Sequence, residues 1–291
     1  MSASFYPGMT DLLREINNDI AKDIIKEGQP IILVDEYSWY REALSLLAKQ
    51  VNLCDSCLLL LENGMEQEAY LLARSQFNNM LWVRYICGDE DNLRVKEYYY
   101  QPHKNQILAN KNLKKLINEY GDQIDQRLLG NDVKERLSRG ISENMNILSQ
   151  ENQFNQIMKV SDLAKQDSSL FGMYVTLYNE GSKFEHSDIS TTKLYRKQVV
   201  NEYDTDQVFI FDLGESNKEC WLTVFKYSFM SMFFAYDAIR DRITTKEDHL
   251  FLPTDFGSAA YTKDDFAKIT LKFAACQSML NQNRIEDKDQ V

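Results

Sequence analysis

The sequence predicts an all-α fold, a multi-helix bundle built on a long antiparallel helical hairpin. Three observations predict it. Apolar residues recur at alternating steps of four and three over long stretches, as one face of a helix requires. Only 4 prolines and 11 glycines punctuate 291 residues, too few for the many tight turns of an all-β protein. Hydrophobic residues make up 44% of the chain, enough to fill a large core.

Residues Met9 to Lys26 carry Leu12, Leu13, Ile16, Ile20, Ile24 and Ile25 at helical spacing, an amphipathic helix ended by Gly28 and Pro30. Ile31 to Val34 is too short to assign by periodicity. The hairpin runs from Trp39 to Gly88. Its first arm places Tyr40, Leu44, Leu47, Val51, Cys54, Leu58 and Leu61 on one seam. Asn63 and Gly64 supply the stop, because glycine tolerates the left-handed conformation that closes a helix. The second arm restarts at Met65 and reaches Ile86.

Asn92 to Asn118 is the basic segment of the chain, with Arg94, Lys96, Lys104, Lys111, Lys114 and Lys115 against Glu97. Pro102 is expected to kink or divide this helix. Residues 121–158 are polar and read as a more exposed arm of shorter helices. A helix resumes near Ser161 and continues through Leu170, Tyr174 and Tyr178 toward His186. The alternation over Val208 to Leu213 predicts one small β-hairpin near residues 195–213. Trp221 to Ile239 is apolar around most of its circumference, as a helix enclosed by others should be. The last helix is expected from Asp264 to Leu280, with a polar tail that frays. All of this reads as one helical domain over residues 1–291, its core in 37–120 and 160–284.

The formal net charge of -11 argues against nonspecific wrapping of nucleic acid, although a local basic patch could still contact RNA. The start of the chain lacks a basic stretch followed by an apolar run, so the expected compartment is the cytoplasm. The most membrane-like stretch, Cys220 to Ile239, has only ten uncharged residues between Lys226 and Asp237, too few to span a bilayer. Five cysteines in mostly apolar surroundings suit free thiols in a reducing compartment.

Chemistry concentrates at two places. Arg74 sits in a helix beside Tyr70, Leu71, Phe77, Asn78 and Leu81, so a guanidinium buried there must be paired. The bland reading is an arginine satisfied by a carboxylate or carbonyl inside the bundle. The sharper one is a clamp for an anion. His186 completes a row with Tyr174, Tyr178 and Ser182 at steps of four, provided the helix runs that far. Against this, Gly181 could end that helix, and Ser182 to Glu185 matches a capping box that opens another. Cys54 and Cys57 have the spacing of a redox or zinc pair, but they fall inside a leucine-rich helix and are assigned to the core. The spacing of Arg242 and His249 is read as chance. No metal or cofactor motif is present, and no cofactor is expected.

At Leu71 to Asn78, and again from Tyr178 through Ser182 to His186 and Ser187, the chain resembles an uncharacterised bacterial family of helical proteins. That family shows Leu-x-Arg-Ser-x-x-Glu in one helix and Ser-x-x-x-His-Ser in a later one. The order and separation fit over residues 40–190, with asparagine at Asn78 where a glutamate is usual. The resemblance implies an all-helical fold and pairs Arg74 with His186. A weaker likeness is to HEPN-type helical proteins, whose ribonuclease members use an arginine and a histidine a few residues apart. Ser182 to His186 contains no arginine.

Two functions follow as expectations. The favoured one is a noncatalytic binding or regulatory module of a bacterial cytoplasmic system, related to defence. Its stretch around Arg74, with Asn78, Tyr178, Ser182 and Lys183, recognises an anionic small molecule, RNA or a protein partner. The alternative is a metal-independent ribonuclease of toxin or antiphage type. There His186 exchanges the proton of a 2′-hydroxyl or leaving oxygen and Arg74 stabilises charge on the phosphate. A symmetric homodimer is the arrangement that would unite the two if one chain holds them apart. No membrane partner is expected.

Overall fold

A computed structural model describes residues 5–29, 38–88, 92–121, 123, 130, 132–149, 157–185, 195–199, 208–211, 216–245, 261 and 263–288. In chain order these form α1 (Pro7–Asp19), α2 (Trp39–Glu62), α3 (Glu66–Cys87), α4 (Leu93–Tyr120), α5 (Val133–Ser149), α6 (Val160–Ala164) and α7 (Ser168–Glu185). They continue with β1 (Arg196–Val199), β2 (Val208–Phe211), α8 (Lys218–Thr245) and α9 (Lys263–Lys288). The all-α expectation holds. The expected β-hairpin is also there, an antiparallel ribbon with Arg196 opposite Phe211 and Val199 opposite Val208. The stretch from Ile31 to Val34 lies outside the described residues.

The chain divides into two compact units, residues 1–88 with 164–291, and residues 89–163. In the first, α1 begins with proline in its first turn and continues as a π-helical turn over Ile20–Ile25. Lys26, in the left-handed conformation at φ 56°, stops it before Gly28 can. The predicted seam of α2 is buried at all seven positions, and Ser38 caps the helix by accepting the Arg41 N–H at 3.3 Å. Gly64 then takes φ 69°, and the Met65 N–H bonds back to the Leu60 carbonyl at 2.9 Å. The chain therefore reverses where the sequence said it would. Contacts between Cys57 and Ala69 and between Gln50 and Asn79 fix α2 and α3 as antiparallel.

α8 lies against both arms of this hairpin and buries Trp221, Phe225, Met232, Tyr236 and Ile239. Asn217 caps it by accepting the Cys220 N–H at 2.9 Å. The Trp221 Nε1–H donates to the Leu61 carbonyl at 3.2 Å, an acceptor at the end of α2 that also receives the Gly64 N–H at 3.3 Å. α9 runs antiparallel to α1, joined by Lys268 to Asp19 at 2.9 Å and Lys272 to Asp19 at 2.8 Å. It continues past the expected end at Leu280 as far as Lys288. No glycine or proline interrupts that tail, and Asn283 bonds to the Met279 carbonyl and the Met9 sulfur instead of leaving the helix.

Among the described residues, α2 is the helix long and apolar enough to cross a membrane by length and composition. Its apolar residues meet α1, α3 and α8. That differs from the sequence reading, which found Cys220 to Ile239 the most membrane-like.

In the second unit α4 is a single helix that Pro102 neither divides nor ends. The proline is exposed, so the carbonyl it leaves without a helical donor lies on the solvent side. α5 packs antiparallel to α4. His103 meets Asn144 at 2.7 Å, Lys114 donates to Ser138 at 2.9 Å, and Tyr100 packs with Leu148. α4, which the sequence grouped with the hairpin, thus clusters with α5.

Candidate functional site

α3 turns Ala73, Phe77 and Met80 to the core, and all three are fully buried. Arg74 follows Ala73 by one residue, about 100° around the helix, and so lies at the margin of the buried face. It is half-buried, not enclosed as its apolar neighbours suggested. The side chain settles on α7. Its guanidinium carbon stands 4.1 Å above the centre of the Tyr178 ring, a cation–π contact. The Tyr178 hydroxyl donates to Asn78 Oδ1 at 2.9 Å. Arg74 and Asn78 are a turn apart on α3, so the three side chains close a small ring between two helices. Tyr174 backs Tyr178, with ring centres 4.2 Å apart.

Why α7 can come this close lies in Gly181, for which the sequence left open a helix end or a helix running on toward His186. The helix runs through it to Glu185. A Cβ at this position would meet Arg74 Cδ at 3.3 Å and the Tyr70 ring at 3.6 and 3.7 Å. Glycine here serves close approach rather than termination. The other end of α7 is also tied to α3. Asp167 caps it, accepting the Ser169 and Leu170 N–H groups at 2.9 and 3.3 Å, and meets Arg84 at 3.4 Å. The single helix expected from Ser161 is therefore two, α6 and α7, with Asp167 as the break the sequence reading missed.

Ser182 follows Tyr178 by one turn and is half-buried, so Tyr174, Tyr178 and Ser182 share one face of α7. Lys183 pairs with Glu180 on its own helix at 2.9 Å. His186, the second arm of the predicted pair, lies outside the described residues, as does His249. Burial raises the Tyr70 and Tyr227 hydroxyls above their ordinary range, and Glu180 adds to both effects. Both phenols stay protonated near neutrality.

The ring has a definite hydrogen-bonding polarity. The Asn78 oxygen accepts from Tyr178, which leaves the amide NH2 and the guanidinium as the donors of the ring. Donors gathered beside a cation are the chemistry that anion recognition uses, because a guanidinium matches a carboxylate or phosphate through parallel N–H bonds.

One arginine that the sequence set aside is more deeply buried than Arg74. Arg242, only 7% exposed, donates through Nη1 to the carbonyls of Ile86 and Cys87 at 3.4 and 3.1 Å. It also lies 4.3 Å from the centre of the Trp39 ring. It covers the negative end of the α3 dipole. The signal for it was a cation in the last turn of a helix otherwise enclosed by apolar residues. Cys54 and Cys57 are both buried and free, as their assignment to the core predicts. Burial pushes both thiols up, which keeps them from acting as thiolates. Among the described residues, no three His, Cys, Asp or Glu side chains gather as a metal site would.

No curated protein and no solved structure matches the chain. Residues 41–203, more than half of the 291, match the model of a family of unknown function, DUF5677. The match takes in α2, α3 and α7, the elements that carry the Arg74, Asn78 and Tyr178 ring. The chain therefore belongs to the DUF5677 family.

Proposed function

We propose that this protein is a noncatalytic binding or regulatory module of a bacterial cytoplasmic system, related to defence, and that the α3 and α7 face around Arg74 recognises an anionic group on a small molecule, RNA or a protein partner. The observation that carries this reading is the Tyr178 hydroxyl bond to the Asn78 oxygen, which leaves the amide NH2 as a donor one turn along α3 from a ring-stacked guanidinium. Ser182 adds a hydroxyl on the same face of α7. The test is thermal stability of the whole chain with inorganic phosphate, mononucleotides and a short RNA. A ligand at 100 times its Kd stabilises by about 2.7 kcal/mol, a rise of several degrees that Arg74→Ala abolishes. No shift with any of these probes overturns the reading.

A second reading, metal-independent RNA cleavage by Arg74 and His186, is supported by the continuity of α7 through Gly181. By sequence spacing alone, His186 is the next step of four after Tyr174, Tyr178 and Ser182. Purified protein that leaves total RNA intact, together with a His186→Ala variant that changes no phenotype of overexpression, overturns it.

A further inference from the structure

The interior enclosed by α1, α2, α3 and α8 is more polar than a helical core needs to be. Asn17, Gln50, Gln76 and Ser231 are fully buried there and Asn79 nearly so. Among the described residues their partners run out. The Asn79 NH2 donates to the Leu46 carbonyl at 2.8 Å and to Gln50 Oε1 at 2.9 Å, and the Asn17 NH2 donates to Asp55 at 2.7 Å. Among the described residues, Asn17 Oδ1, Gln50 Nε2, Asn79 Oδ1, Ser231 Oγ and both ends of the Gln76 amide find no partner at hydrogen-bond geometry. Turning an amide end over end does not help. Asn79 would then set its oxygen against the Leu46 carbonyl, and Gln50 would set its NH2 against the Asn79 NH2. These groups share one interior. Cys54 touches Ser228 at 3.5 Å, and the Asn17 and Gln76 side chains act on its thiol as hydrogen-bonding neighbours, although neither Gln76 amide atom closes to hydrogen-bond geometry; Gln50 and Ser231 lie one turn from Cys54 and Ser228.

Buried polar groups are satisfied in nearly all folded proteins, by protein or by ordered water. The chemistry of the remainder selects the ligand. Gln50 and Gln76 leave donors, Asn17, Gln76 and Asn79 leave acceptors, and the Ser231 hydroxyl serves as either. A cation would meet only the acceptors and an anion only the donors. Water meets both, and it typically takes about three such bonds in a protein interior. We propose that this seam is a built hydration site in which long-lived water molecules bridge Gln76 to Gln50, Asn79, Asn17 and Ser231. The site is independent of the ring at Arg74, which lies on the opposite side of α3.

The test uses the whole chain. In the 15N-labelled protein, the Gln76 side-chain NH2 is expected to show a cross-relaxation peak to water, and its absence in the folded protein overturns the proposal. Oxygen-17 relaxation dispersion then counts the long-lived waters. Gln76→Leu is expected to lower that count by at least one, with Ser231→Ala taking its place if the leucine variant does not fold. An unchanged count in the folded variant overturns the proposal as well.

Discussion

Alanine substitution at the two glycines of α7 separates close packing from helix propensity within a single element. Gly172 is exposed and a Cβ there meets nothing within 4 Å. Gly172→Ala should therefore gain the ordinary helix-propensity difference, about 1 kcal/mol. At Gly181 the same gain meets Arg74 Cδ at 3.3 Å and the Tyr70 ring at 3.6 Å. The Arg74 side chain must move by a few tenths of an ångström, away from the position that holds it over Tyr178. Overpacking of this kind costs about 1 to 3 kcal/mol, so Gly181→Ala should come out at least about 1 kcal/mol less stable than Gly172→Ala. For a chain of this size that is a gap of roughly 2 °C in Tm, with a matching difference in urea midpoint at unchanged m. Gly181→Val, which cannot avoid displacing the guanidinium, should widen the gap. Equal stabilisation by alanine at both positions would refute the claim that α7 is seated directly on Arg74 and Tyr70.

Other outcomes follow from the same geometry. Tyr178→Phe keeps the ring under Arg74 but removes the hydroxyl that Asn78 accepts. It should cost about 1 kcal/mol in chemical unfolding and weaken anion binding less than Arg74→Ala does. Arg242→Met leaves the Ile86 and Cys87 carbonyls without their cation and uncovers Trp39, and should destabilise by about 3 kcal/mol. Arg242→Lys should recover only part of that, because an ammonium does not reproduce the planar contact. Asp19 is held below the usual carboxylate range because Lys272 and Lys268 outweigh its partial burial. Its contribution should be fully present above its unfolded pKa of about 3.9 and should fade as pH falls through the lower folded value. The stability gap between wild type and Asp19→Asn, followed by urea unfolding, should be constant near neutrality and close as pH falls below the unfolded value and through the lower folded one.

The hairpin was legible because its two signals are local. The seam from Tyr40 to Leu61 needs only the helical period, and Asn63 with Gly64 needs only backbone sterics. The same holds for α8, whose burial on most sides follows from its composition. What the sequence misplaced depends on partners far along the chain. Arg74 and Arg242 both sit among apolar residues, yet which one is enclosed is decided by where α7 and the end of α3 fall. Gly181 in isolation allows a stop or a continuing helix, and becomes a contact point only once Tyr70 and Arg74 stand opposite it. Asp167 was a local signal and could have been read, since an aspartate before two serines is a strong helix start. The site was legible in part. Arg74, Asn78 and Tyr178 were all singled out, but the bond that joins Tyr178 to Asn78 requires two helices to be brought together from 100 residues apart.

The central claim, that the Arg74 face of α3 recognises an anion, is tested most directly by the Nε–H resonance of Arg74 in the 15N-labelled protein, titrated with inorganic phosphate and with a mononucleotide. The account predicts a saturable shift of that resonance together with the Asn78 side-chain amide, lost for Asn78 in Arg74→Ala. An Arg74 resonance that stays in place while these anions move signals elsewhere would contradict it.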